Sequence, residues 1–306
     1  MTAHPDESQQ ARGLWLMVLS IVSFAANALL VRGVALHFPE ADSWLISFFR
    51  GLAGLALVFS LYGGGRGLHP KHLLQRPKLV LRGILGALGI YLFYLTVIHL
   101  GVSRAVVLNL TYPIFAALMA AFFLGERLSR RKLVWTFVGF GGLALFLGEK
   151  AWAEGLSAYD GLALLGALIA AGVVVLIRSL HQSEHSSTIY ASQCLYASLL
   201  AFPFSYGELP ETSLPLVGWL VAAGFLVTCG QLAMTFSYRH LDVSTGASLQ
   251  MTLPILTALG GYAFFGERFS GSELAGAALT LFATYQVARN RQKTKPPVKQ
   301  VLRGQF

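Results

Sequence analysis

The sequence predicts an all-α polytopic membrane protein whose ten transmembrane helices form two inverted five-helix repeats. Three observations lead there. Hydrophobic residues make up 55% of the 306-residue chain and charged residues only 12%, against about 25% charged in a soluble globular domain. Ten apolar segments approach the roughly 20 residues that a helix needs to cross about 30 Å of hydrocarbon, and long alternating strands of the barrel type are absent. Finally, the stretch Ser103 to Ser129 recurs at Ser244 to Ser270, 141 residues later, with twelve of twenty-seven aligned positions identical. The matched residues include Leu108 with Leu249, Thr111 with Thr252, Pro113 with Pro254, Ile114 with Ile255, and Gly125-Glu126-Arg127 with Gly266-Glu267-Arg268. The copies occupy the fourth and ninth segments. Five segments apart is an odd number, so the copies enter the membrane from opposite sides and the halves are inverted about an axis in the membrane plane.

The segments follow in order. Leu14 to Val31 is the first; Ala26-Asn27-Ala28 resembles a signal-peptidase site, but apolar sequence continues beyond it and the segment reads as a retained helix. Ser23 and Asn27, one turn apart, share a face. Ser43 to Tyr62 contains Arg50, a cation that costs about 2.5 to 3.5 kcal/mol near the bilayer centre and so must face protein or water. A glycine-rich basic loop, Gly63 to Lys78, leads to Leu79 to Ile98, with Tyr91 and Tyr94 three residues apart and Gly83, Gly86 and Gly89 as a close-packing face. Val102 to Leu124 carries the first repeat copy, and Lys132 to Leu147 completes the first half with Gly139 and Gly142. An acidic loop, Gly148 to Asp160, divides the halves. The second half runs Gly161 to Ser179, Thr188 to Tyr206, Leu216 to Phe236, Val243 to Phe265 and Leu274 to Ala288. Domain limits are then 1–13 for the N-terminus, 14–148 for the first repeat, 149–160 for a periplasmic linker, 161–288 for the second repeat, and 289–306 for a basic tail too poor in apolar residues to fold.

Charge sets the orientation. With both termini cytoplasmic, eighteen lysines and arginines fall on the inner side, Arg82, Arg127, Lys132 and Arg178 among them, against four outside, Arg32, Arg104, Lys150 and Arg268. The positive-inside rule selects this arrangement, so the formal charge of +9 points to the bilayer and not to nucleic acid. Cys194 and Cys229 lie in different spans and read as packing residues, not as a disulfide or metal site.

The candidate working residues cluster by helical spacing. Pro113 and Pro254 each remove a backbone donor and free carbonyls at mid-membrane depth, a disturbance tolerated only where protein or water meets it. Asn109, Thr111 and Tyr112 flank the first proline; Gln250 and Thr252 flank the second. Gln231, Thr235 and Tyr238 form a stripe at the end of the eighth segment, and Tyr190, Gln193 and Tyr196 another in the seventh. Interhelical hydrogen bonding, typically about 0.6 kcal/mol, explains any one of these; as a set they supply an aromatic cavity with a few polar groups. Arg50 either attracts a substrate carboxylate or binds helix-end carbonyls. Glu126-Arg127 and Glu267-Arg268 read as interfacial helix ends. None of the ten segments contains Asp or Glu, which leaves a carboxylate proton relay without support. Nucleotide loops fail too: Gly139-Phe140-Gly141-Gly142 lacks a preceding strand, and Gly63-Gly64-Gly65-Arg66-Gly67 lacks Lys-Ser/Thr.

Ten segments, a five-plus-five duplication, an arginine in the second segment, and proline-interrupted fourth and ninth segments closing on Gly-Glu-Arg-x-Ser resemble the drug/metabolite transporter superfamily. More narrowly the chain resembles its EamA-like ten-helix exporters, and among these the bacterial aromatic amino acid exporters. The resemblance implies that segments one, three, four, six, eight and nine surround a central cavity. It makes Asn27, Tyr91, Tyr94, Asn109, Tyr112, Gln231, Tyr238 and Gln250 the expected substrate-binding residues, with Pro113 and Pro254 as moving bends and Arg50 as the intramembrane charge. The expected function is export of small amphipathic metabolites, aromatic or bulky apolar amino acids first, by alternating access in a bacterial inner membrane. No cofactor and no metal are expected; the partners are the solute and the lipid bilayer. A cationic drug, a nucleotide sugar, a channel or a membrane-embedded enzyme are the alternatives; the enzyme would need a nucleophile with its base or clustered metal ligands, and the sequence contains neither His-Glu-x-x-His nor Gly-x-Ser-x-Gly.

Overall fold

The computed structural model describes residues 7–38, 43–100, 105, 108–126, 129–146, 157–207, 209, 212–266 and 269–289. The acidic linker as far as Leu156, the tail beyond Arg289, Arg127, Glu267, Arg268 and the side chains of Arg32 and Tyr94 lie outside the described residues. The described residues contain helices and turns and no strand. In order they are α1 Glu7–His37, α2 Ser43–Tyr62, α3 His72–Gln75, α4 Pro77–Leu100, α5 Tyr112–Leu124, α6 Arg130–Phe146, α7 Ala158–Leu180, α8 Ser186–Ser205, α9 Leu214–Ser237, α10 Val243–Leu249, a 3-10 turn Gln250–Thr252, α11 Leu253–Phe265 and α12 Gly271–Arg289.

Four of these are long and apolar enough to cross a membrane: Ser8–Val31, Trp44–Tyr62, Ala158–Leu180 and Leu214–Ser237. For three of the six remaining expected spans the physical reason is plain. At 1.5 Å per residue the 13 residues of α5 and of α11 reach only about 20 Å. Helix α8 is long enough but buries Ser186, Ser187, Thr188, Ser192, Gln193, Ser198 and Ser205, which lowers its apolar character.

The proline-bearing segments are broken, not merely kinked. Pro113 and Pro254 stand in the first turns of α5 and α11, where a missing backbone donor costs nothing because no intrahelical partner awaits it. Before each break a threonine hydroxyl takes over a freed carbonyl: Thr111 Oγ1 donates to Leu108 O at 2.7 Å, and Thr252 Oγ1 to Leu249 O at 2.8 Å. Both helices then end on a left-handed glycine, Gly125 at φ 62° and Gly266 at φ 66°, a conformation in which a side chain would be strained. The repeat therefore copies the break, the length and the cap. It also copies the outward face, because Phe123 and Phe264 are 65% and 77% exposed. Apolar surface of this kind, continuing through Trp15, Phe122, Leu200 and Phe204, suits lipid rather than water.

Helices pair across the chain's midpoint. The helix α6 packs along α12 and α2 along α8; α1 packs on α9 and α4 on α7; α2 also meets α9, α4 meets α8, α5 meets α7, and α1 meets α11. Small residues permit the approach: a Cβ at Gly54 of α2 would meet Cys194 Sγ at 2.5 Å and Tyr190 Oη at 2.9 Å. The largest apolar core lies among α1, α5, α6, α7, α9 and α10, with Met17, Tyr112, Leu143, Ala171, Met234 and Ala247 among its buried members.

Candidate functional site

Two arginines, Arg50 of α2 and Arg82 of α4, lie within described helices of the bundle. Arg50 of α2 faces a small cavity of about 10 Å³, shared with Asn27 and Val31 of α1, Ile46, and Leu220, Ala223, Gly224 and Val227 of α9. That volume admits about one water. Among the described residues Arg50 has neither a hydrogen bond nor an ion pair. Two expected residues, Asn27 and Arg50, are thus brought together by the packing of α1 and α2 on α9. Arg82 is the correction: counted above with the inner-side basic residues, it lies inside α4 at 0% exposure. Its Nη2 donates to Gln193 Oε1 at 2.8 Å, while Nε and Nη1 have no hydrogen-bond partner among the described residues. Tyr190, Cys194 and Arg50 are close enough to act on it electrostatically. Tyr190 in turn shares a 3.1 Å hydrogen bond with Thr228. Tyr190 and Gln193 of the seventh segment's stripe therefore belong to this polar layer, while Tyr196 donates to Leu73 O at 3.3 Å.

A second group surrounds the broken helix. Gln250 is buried, with Nε2 at 3.1 Å from Met17 Sδ and 3.5 Å from Ser20 Oγ, and Tyr112 Oη donates to Ala247 O at 3.4 Å. Tyr238 is fully buried, and neither its hydroxyl nor Gln231 Oε1 has a hydrogen-bond partner among the described residues. Asn109 lies against Gly166 of α7. These expected residues line packed helix contacts, not the cavity of Asn27 and Arg50. Tyr91 stands elsewhere again, 38% exposed and stacked on Trp44 at 4.9 Å, which stacks on Phe204 at 4.4 Å.

A polar network ties down the start of α10. Asp242 is its N-cap, accepting from Thr245 N at 3.2 Å. Lys132 of α6, with its side chain 4% exposed, donates Nζ to Asp242 Oδ2 and to Thr245 Oγ1, both at 2.7 Å. Burial alone would raise the Asp242 carboxyl, but Lys132 and the hydroxyls of Ser244 and Thr245 outweigh it and hold the group below its ordinary value. Glu126, just past the end of α5, accepts from Val243 N at 3.2 Å and faces Arg178 Nε at 3.8 Å. Burial, reinforced by Asp242 and opposed by Arg178, pushes Glu126 up to about 7. Arg178 caps α9, donating Nη1 to Tyr238 O at 2.7 Å and Arg239 O at 2.9 Å. Thr136 with Ser248, 2.9 Å apart, extends the network along α6. Sequence reasoning missed Lys132 and Asp242 as partners. An Asp preceding Val-Ser-Thr is a capping signal, but the lysine 110 positions earlier offers none.

Among the described residues, possible metal ligands come together at His69, His72 and Glu184, in connections outside the long helices.

Against known proteins, the pattern of the EamA-like transporter family matches residues 11–148 and again 158–289. The chain is 28% identical to the pseudopaline exporter CntI of Pseudomonas aeruginosa, over 92% of this chain and 97% of that protein. It is 28% identical to a riboflavin transporter of Rhizobium johnstonii, covering 95% and 96%, and 25% identical to an S-adenosylmethionine uptake transporter of Rickettsia bellii, covering 92% and 94%. None of these names is that of an aromatic amino acid exporter, so the likeness holds at the level of the family and not of that solute. A solved crystal structure superposes with a TM-score of 0.76 at 19% identity, over 92% of this chain and 96% of the other, which shares the fold. Two family matches spanning nearly the whole chain, apolar helices facing outward and relatives that are transporters rather than enzymes place it: the chain belongs to the EamA-like transporter family, as a polytopic membrane transporter of small molecules.

Proposed function

We propose that the chain is a secondary transporter of a bacterial inner membrane that exports small amphipathic metabolites bearing a carboxylate, with aromatic and bulky apolar amino acids as the first candidates. One observation carries the reading: Arg50 lines a small, partly open cavity beside Asn27 with no ion-pair partner among the described residues, a cavity that must widen from its one-water volume to take a solute. A guanidinium offers a planar fork of donors that matches a carboxylate, and none of the ten expected spans contains an Asp or Glu to neutralise it. The amide of Asn27 is a second polar anchor, while Leu220 and Val227 provide apolar wall.

Alternating access of two inverted halves is the proposed mechanism, with the domain limits and both cytoplasmic termini read from the sequence. Reciprocal packing supports it. Shifting each first-half helix to its second-half counterpart turns the contact of α1 with α9 into that of α7 with α4, and the contact of α5 with α7 into that of α11 with α1. A pseudo-two-fold axis generates such couples. Pro113 and Pro254 then stand at equivalent breaks, and the network of Glu126, Arg178, Lys132 and Asp242 closes the cytoplasmic side.

Solutes resembling those of the relatives, pseudopaline, riboflavin and S-adenosylmethionine, form the second reading, supported by identities of 25% to 28% over most of the chain. Purified protein in liposomes separates the two. Movement of labelled tryptophan, phenylalanine or threonine supports the amino acid reading; movement of riboflavin or S-adenosylmethionine with none of the three amino acids overturns it.

A further inference from the structure

We propose that His69, His72 and Glu184 form a binding site for a borderline divalent cation of the zinc class, bridging the connection after α2 to the turn between α7 and α8. The ligand atoms of the three residues lie within 4.8 Å of one another. Local geometry explains the first two. His72 N donates to His69 O at 3.1 Å, one helical turn that sets both imidazoles on one side with ring centroids 5.0 Å apart. Glu184 completes the set from the second half of the chain; its side chain is only 2% exposed, and both its oxygens lie 3.0 Å from His72 Nδ1. A carboxylate so enclosed is stabilised by hydrogen bonding, by pairing or by a metal ion. Among the described residues the permanently charged group paired with it, Arg76, is 3.9 Å away and 59% exposed, so an arriving ion can displace it.

The backbone around the ligands is pinned. Gly67 O accepts from Ser187 Oγ at 3.2 Å and Thr188 Oγ1 at 3.0 Å, His69 N donates to Thr188 Oγ1 at 3.1 Å, and Tyr196 Oη donates to Leu73 O at 3.3 Å. The two imidazoles and the carboxylate are thus held near one another before any ion arrives. Two nitrogens and one oxygen suit zinc, nickel or copper over magnesium or calcium, with water completing a four-coordinate shell. A bound ion would cross-link the two halves of the chain on one face of the bundle, independently of which solute is transported.

The test uses the full chain without a polyhistidine tag, freed of metal with EDTA, and zinc chloride as the probe. Saturable binding of one zinc per chain and a zinc-dependent rise in unfolding temperature are expected. The variants His69→Ala and Glu184→Gln should each weaken zinc at least about tenfold. His69 is exposed, so His69→Ala should leave the unfolding temperature in EDTA unchanged, which separates ligand loss from misfolding. No saturable binding, or equal affinity in wild type and both variants, would overturn the site.

Discussion

Arg50 and Arg82 show how differently two arginines in one bundle can be read. Arg50 stands out in the sequence because apolar residues surround it on both sides, and it lines a cavity with Asn27. Arg82 follows a basic loop and reads as an inner-side charge; its burial arises because α4 packs on α8, a contact with no local sequence signal. If Arg50 makes a charge-assisted hydrogen bond to the solute, its loss removes about 1.5 to 3 kcal/mol. Arg50→Gln should therefore fold and raise the half-saturating concentration of a carboxylate solute by about tenfold or more; normal folding with normal transport would remove both roles considered for Arg50. Glu126 gives a separate prediction through its pKa of about 7 against an ordinary 4.5. A raised folded value means that the native protein retains a proton the unfolded chain has released, so this group's contribution to stability falls as pH rises through that window. His181, His185 and His240, whose values are lowered by burial, act in the opposite sense but equally in both proteins compared. The unfolding temperature of Glu126→Gln minus that of wild type should thus increase from pH 5 to pH 8; a pH-independent difference would contradict the assignment.

The elements were legible wherever the pattern is local. Apolar runs with polar ends located the long helices, and the Gly-Glu-Arg closures marked the ends of α5 and α11, because a left-handed glycine cap is written into a few adjacent residues. The breaks were harder. A proline announces a disturbance, but whether the helix bends or restarts depends on who receives the freed carbonyl, here Thr111 and Thr252. If those breaks are the moving parts, Pro113→Ala should leave the protein folded, with an unfolding temperature equal to or above wild type, since alanine permits a continuous helix. Its maximal transport rate should fall while the half-saturating concentration changes little. An unchanged rate would assign Pro113 a purely structural part. The candidate site was half legible for a related reason: helical spacing places Asn27 and Arg50 on usable faces, whereas the pairing of Lys132 with Asp242 depends on how α6 meets α10.

At the scale of the whole molecule the duplication matters most. The recurrence of Ser103 to Ser129 at Ser244 to Ser270 is visible without any structure, and the family pattern matches each half separately. Helices of the two halves pack on one another, and under the proposed mechanism a change of one interface would be mirrored in its counterpart. The solute is the part least written in the chain. Relatives 28% identical over most of the chain carry names as different as pseudopaline and riboflavin. The central claim, that two conformations alternate around one site, is tested most directly by counterflow in liposomes. Labelled solute outside should enter faster when unlabelled solute is loaded inside, and the initial rate should saturate with concentration. A rate that rises linearly and ignores the internal solute would contradict a carrier and indicate a pore.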